Sequence, residues 1–181
     1  MTAEPPTTRV EDLDFHGFID YAVSGARQRV PEADAEAMRL VLMLHRLTSL
    51  MVYDLEASVH RPRGWSWSGF RVMFALWLTN PLEAWQVAEF SGMSRAAVSS
   101  LVNTLERNGL VARTPSDARR RTVSLALTEA GRTAMEEAVT AHHRREQLWA
   151  SAISRRELRT LVRLLARLLH HPEADLFRRR D

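Results

Sequence analysis

The chain has 181 residues, a formal net charge of +3 and no cysteine, so it is sized for one domain with a core and has neither a disulfide nor a thiolate for redox chemistry or zinc. Its longest apolar run, Val72 to Leu78, is far below the roughly 20 residues that span a bilayer. The opening MTAEPPTTRVEDLD lacks the basic start and apolar block of a secretory signal, and together these features lead us to expect a cytoplasmic protein with no membrane partner. All 25 basic residues are arginine, whose planar fork binds phosphate and guanine edges bidentately.

Residues 1–10, with Pro5 and Pro6, read as a tail. Leu13, Phe15, Phe18, Ile19, Ala22, Val23 and Ala26 recur at three- and four-residue steps, which predicts a short amphipathic helix. Pro31, followed by Glu32 and Asp34, suits the first turn of a second, unusually long helix. Its apolar stripe runs through Met38, Val41, Leu42, Thr48, Val52, Leu55 and Val59 until RPRG stops it. Ser66 or Ser68 is placed to cap WSGFRVMFALWLT, a helix apolar nearly all round and so central to the fold; Asn80-Pro81 ends it. Two short helices follow. LVART and TVSLAL then flank the polar PSDARRR as a β-hairpin. Thr128-Glu129-Ala130-Gly131 opens another long helix, reaching about Trp149. Ser154 with Glu157 forms a capping box for the last helix, which carries Leu158, Leu161, Val162, Leu165, Leu168 and Leu169 on one face and Arg159, Arg163 and Arg167 on the other.

LEAWQVAEFSGMSRAAVSSLVNTLE fits a helix-turn-helix: Ala88 is small where two helices approach, Gly92 sits in the turn, and Val98 and Leu101 pack the second helix on the first. Ser94 caps that second helix. Arg95, Ala96, Ser99, Ser100, Asn103 and Arg107 face outward. Small residues let a helix enter the major groove, about 12 Å wide, while hydroxyls, an amide and arginines meet phosphates or base edges. The hairpin directly after it makes a winged helix-turn-helix, with Arg113, Arg119, Arg120 and Arg121 against the single acid Asp117. The expected fold class is mainly α with one small β-hairpin, a winged helix-turn-helix core flanked by N- and C-terminal helices.

The segment GLVARTPSDARRRTVSLALTEAG, Gly109 to Gly131, resembles the MarR family of winged-helix regulators without a gap: Gly-Leu-Val-x-Arg, a wing with paired arginines, and Leu-Thr-x-x-Gly opening the next helix. In helix order and length the resemblance covers about residues 35–170. It implies a homodimer whose terminal helices interlock, recognition helices in adjacent major grooves of a pseudo-palindromic double-stranded DNA, and in many members a small phenolic or lipophilic effector. It also implies a minor-groove role for Arg120 and Arg121. The family's aspartate directly before its two arginines is here Arg119, the acid appearing two residues earlier as Asp117; a helix before Pro31 is a second departure.

The domain expectation is a tail at 1–10, dimerisation helices at 11–60, the winged helix-turn-helix at 64–128, dimerisation helices at 129–171 and a tail at 172–181. Trp65, Trp67, Phe70 and Arg71 gather at the start of the central helix, near where His45 and Tyr53 come from the long one, and form a candidate effector pocket; the alternative is that the aromatics are core. His142-His143 and His170-His171 are adjacent on helices and point about 100° apart, so neither pair chelates a metal by itself; solvated positions are the expectation. No catalytic constellation and no cofactor motif is present. The function expected is a homodimeric, sequence-specific DNA-binding repressor released by a small aromatic effector. The alternatives are a ligand-independent regulator or activator, and a protein-interaction module without DNA specificity.

Overall fold

The computed structural model describes residues 14–79, 81–117 and 122–171, which form two compact units meeting in sequence at Asp54 and Leu55. The first contains α1 (Phe15–Arg29) and nearly all of α2 (Ala35–Leu55). Asp14 caps α1, its carboxylate accepting the Gly17 amide at 2.7 Å, and Asp34 accepts the amides of Glu36 and Ala37 at 2.9 and 3.1 Å. Each cap satisfies N–H groups that have no partner within the helix. Arg39 bridges from α2 to Asp20 of α1 at 2.6 Å. Ile19 and Val23 are buried, while Leu40, Val41, Met43, Leu47 and Leu50 of α2 are exposed.

The long helix departs from the sequence expectation. Its α-helical part ends at Leu55; Glu56–His60 is a π-helical turn and Arg61–Arg63 a 3-10 turn. The widened turn buries both Val59 and His60. Arg63 donates from its side chain to the Val59 carbonyl at 2.7 Å, the carbonyl its amide would have reached in a continued α-helix, and the Glu56 carboxylate accepts the Trp67 amide at 2.7 Å at the start of the next helix.

In the second unit α3 (Trp67–Thr79) is central, as its all-round apolarity requires. Ser66 caps it, accepting the Gly69 amide at 3.1 Å. Val72, Met73 and Leu76 of α3 form one core with Val87 and Ala88 of α4 (Ala84–Ser91), Val98, Val102 and Leu105 of α5 (Arg95–Arg107), and Met135 and Ala138 of α6 (Glu129–Ala150). The hairpin, β2 (Val111–Asp117) and β3 (Thr122–Leu127), becomes a three-stranded antiparallel sheet because β1 (Leu82–Glu83) pairs with the other edge of β3, Leu82 opposite Leu125. Two residues after a proline carry no alternating pattern, so β1 has no sequence signal; its Leu82 is buried in the core.

Gly131 explains the Leu-Thr-x-x-Gly motif. The Leu110 carbonyl oxygen lies 2.0 Å from where a Cβ on Gly131 would stand, because Thr128 ties the start of α6 to the turn between α5 and β2. Its amide donates to Leu110 at 3.1 Å and its hydroxyl to the Gly109 carbonyl at 2.6 Å, while the same hydroxyl oxygen caps α6 by accepting the Gly131 amide at 3.0 Å. Gly131→Ala forces backbone apart from backbone, and we expect a loss of about 3 kcal/mol in denaturant unfolding. An unchanged midpoint would mean that this junction is looser than its geometry.

The last helix, α7 (Arg155–Leu169), starts at the expected capping box: the Ser154 hydroxyl accepts the Glu157 amide at 3.3 Å and the Glu157 carboxylate accepts the Ser154 amide at 2.8 Å. The Ser154 hydroxyl also donates to the Glu157 carboxylate at 2.6 Å, and this bond, with that from the Ser154 amide, holds the Glu157 carboxyl below the usual carboxylate range. No residue of α7 is buried.

Candidate nucleic-acid interface

The turn between α4 and α5 is built on Gly92, whose φ of 61° lies in the left-handed region. Its amide reaches back to the carbonyls of Ala88 and Glu89, and the chain leaves α4 at once. Ser94 then caps α5, accepting the Ala97 amide at 3.3 Å. The first turn of α5 has no acidic residue and carries Arg95, so no side chain of that turn neutralises the positive end of the helix dipole. A phosphate would meet free amide donors there.

Hydrophobic spacing decides which face of α5 is seen. Val98, Val102 and Leu105 are buried and Leu101 partly so, which leaves Arg95, Ala96, Ser99, Ser100, Asn103 and Arg107 exposed. These are the residues singled out from the sequence. The face combines small side chains, hydroxyls, an amide and two cations, which suits close approach to a polar, anionic groove.

Two arginines of this candidate interface, Arg107 and Arg113, are engaged within the chain. Arg107 lies along its own helix, donating to the Asn103 carbonyl at 3.3 Å and to the Thr104 hydroxyl at 3.2 Å. Arg113, on β2 and paired in register with Leu125, donates to the Asn103 side-chain oxygen at 2.6 Å and lies 3.3 Å from the Glu106 carboxylate. Arg119, Arg120 and Arg121 lie outside the described residues.

The candidate effector residues are divided between the two units. His45 and Tyr53 lie in the first unit, both exposed. Trp65 is buried and Trp67 stacks on Phe70 with ring centroids 5.8 Å apart. Arg71 points elsewhere, its guanidinium 3.0 Å from the position of a Cβ on Gly92, beside the helix-turn-helix turn.

The Trp67–Phe70 pair has two partners that sequence reasoning missed. His60 packs 4.4 Å from the Phe70 centroid, and His142 stacks on Phe70 at 4.7 Å with planes 5° apart. The expectation of a solvated His142 is corrected: it is buried, whereas His143 is exposed. Its stripe explains this, since Met135, Ala138 and His142 follow one another at steps of three and four on the buried face of α6. Among the described residues no group hydrogen-bonds either ring nitrogen of His60 or Nε2 of His142; Nδ1 of His142 meets Glu146 at 3.0 Å. Burial pushes the His60 imidazole down to about 4, helped by neighbouring His142 and Arg63 and opposed by Glu56. His142 is also lowered by burial, against the pull of Glu146.

Comparison with known proteins agrees with this geometry. Residues 65–123 match the MarR family model. The HTH-type transcriptional regulator YwaE of Bacillus subtilis is 27% identical over 139 residues, 77% of this chain and 81% of the relative. Among solved structures, BpsR of Bordetella bronchiseptica, whose DNA binding is regulated by 6-hydroxynicotinic acid, aligns with a TM-score of 0.66 and 22% identity over 72% of this chain and 98% of that one. The PcaV transcriptional regulator of Streptomyces coelicolor, solved with its natural ligand, aligns at a TM-score of 0.60 and 21% identity over 70% of this chain and 89% of that one. At these identities the structural likeness speaks for the fold.

Proposed function

We propose that the chain, whose residues 65–123 match the MarR family model, is a transcriptional regulator of that family and acts as a homodimeric repressor, each copy placing α5 in one half-site of a pseudo-palindromic operator. The observation that carries this reading is the exposed face of α5, where Ser94, Arg95, Ala96, Ser99, Ser100 and Asn103 offer small, polar or cationic groups beside a dipole end that no acid of its first turn neutralises. The wing arginines Arg119, Arg120 and Arg121 join this interface on the strength of the sequence motif. Release by a small aromatic compound is the second element of the reading. It draws on the ligand regulation stated for BpsR and on the aromatic cluster in which half-buried Trp67 stacks on buried Phe70. Regulation takes effect through half-site spacing: two α5 copies read sites about one DNA turn apart, and any ligand that alters their separation lowers affinity, tenfold for each 1.4 kcal/mol or so. The terminal segments 11–60 and 129–171 supply the dimer contacts in this reading.

The test is a titration of the purified protein onto a labelled duplex from the region beside its own gene and onto a scrambled duplex, at low and physiological salt. We expect a preference for the first duplex that survives added salt. Equal affinities that both vanish with salt would reduce the interface to a generic arginine footprint, and absence of binding to either would favour a protein partner.

A further inference from the structure

The contact between Arg113 and Asn103 assigns these two residues different tasks. Arg113 sits at the base of the wing on β2, and Asn103 sits on the exposed face of α5. Their side chains meet at 2.6 Å, guanidinium Nη2 to amide Oδ1, and the same guanidinium is held from its other nitrogen by Glu106, one turn along α5, at 3.3 Å. A guanidinium has five donors and no acceptor. Only the amide oxygen can face it, so the orientation of the Asn103 amide is forced: oxygen toward the wing base, amine away from it.

The geometry points to Arg113 as a positioning residue that turns Asn103 into a donor-only reader of purines, one that selects guanine over adenine at its base pair. This rests on the reading of α5 as the helix that enters the groove. An unconstrained asparagine pairs with adenine through both ends of its amide, accepting from N6 and donating to N7. Here the oxygen is drawn to Arg113 and the amine leads. The major-groove edge of guanine offers two acceptors, O6 and N7, whereas adenine sets its own N6 donor against the amine. The Glu106 contact matters because it fixes the guanidinium from the helix side, so that Arg113 holds Asn103 rather than reaching outward to a phosphate.

The experiment is selection of duplexes from a random pool by the full-length protein, followed by competition with the selected operator carrying guanine or adenine at each purine in turn. In wild type we expect one position per half-site at which guanine is favoured over adenine. Arg113→Met, which frees the amide to turn over, should reduce that preference about tenfold at that position alone and leave the salt slope unchanged. Asn103→Asp keeps the contact to Arg113 but removes the outward donor, and should abolish the same preference. Arg113→Lys still offers only donors and should retain most of it, which an unspecific loss of structure would not. A salt slope reduced by about one in Arg113→Met, with guanine preference intact, would make Arg113 a phosphate contact and overturn the inference. A selected operator whose preferences ignore both substitutions would overturn it too while leaving the DNA-binding reading in place; a wild-type protein that enriches no sequence would remove that reading and this one with it.

Discussion

Glutamate at both Leu161 and Leu168 should leave the protein folded but largely monomeric, and should weaken operator binding at least about a hundredfold. The two positions are seven residues apart on one stripe of α7, 40% and 46% exposed, with Val162 beside them at 57%. Fully burying a leucine contributes about 1.5–3 kcal/mol. A helix that exposes several such side chains, and buries none in its own chain, gains little unless something else covers that face. The proposed cover is the same helix set of a second copy. A symmetric seam would then receive four carboxylates from the double substitution, two from each protomer, and burying unpaired charge is strongly unfavourable. A loss of only about 3 kcal/mol is a hundredfold in dimer affinity. Sedimentation velocity reads the mass and operator titration reads the consequence. The native mass retained by the double variant would place the dimer seam elsewhere.

Stability should fall by about 3 kcal/mol as pH drops from 6.5 to 4, and His60→Phe should remove most of that fall. The His60 side chain is fully buried among Trp67, Phe70 and His142. Burial is the largest influence and lowers its folded-state pKa from 6.5 to about 4, the opposing attraction of Glu56 being smaller. The folded state therefore favours the neutral ring. This contribution is complete above the unfolded value of 6.5 and declines as pH falls toward 4, each pH unit in that window being worth about 1.4 kcal/mol. His142, shifted in the same direction, adds to the decline. Phenylalanine fits an aromatic site that offers His60 no hydrogen-bond partner, so the variant should be no less stable than wild type at neutral pH. Denaturant unfolding of both proteins across pH 4–8 measures the difference. Parallel curves would show that His60 titrates normally and that the acid response lies elsewhere.

Much of the candidate interface was legible in local sequence, because the forces behind it are local. Ser94, Thr128 and Ser154 mark helix starts, since a side-chain oxygen satisfies backbone N–H groups two or three residues on. Gly92 marks the turn because its left-handed backbone disfavours a side chain. The spacing of Val98, Leu101, Val102 and Leu105 decides which face of α5 turns inward, and the outward residues follow without further information. The motif glycine Gly131 was visible as a letter, yet its reason, the Leu110 carbonyl 2.0 Å from a would-be Cβ, is a contact across 21 positions of chain.

The rest was decided by contacts that the chain makes with itself at a distance. Leu82 joins a sheet only because β3 presents a free edge to it. His60 and His142 are 82 positions apart in the chain and meet on Phe70; the stripe through Met135 and Ala138 was a signal for the burial of His142 that the expectation of a solvated ring passed over, and none of the local spacing indicated the pair. Arg113 and Asn103 were each legible as polar, exposed residues near a groove. Which of them faces outward depends on a 2.6 Å contact between a strand and a helix, and a guanidinium that only donates settles the direction of the amide. Helix starts and faces were therefore set by short-range chemistry, while the states of Asn103, His60 and His142 were set by distant neighbours.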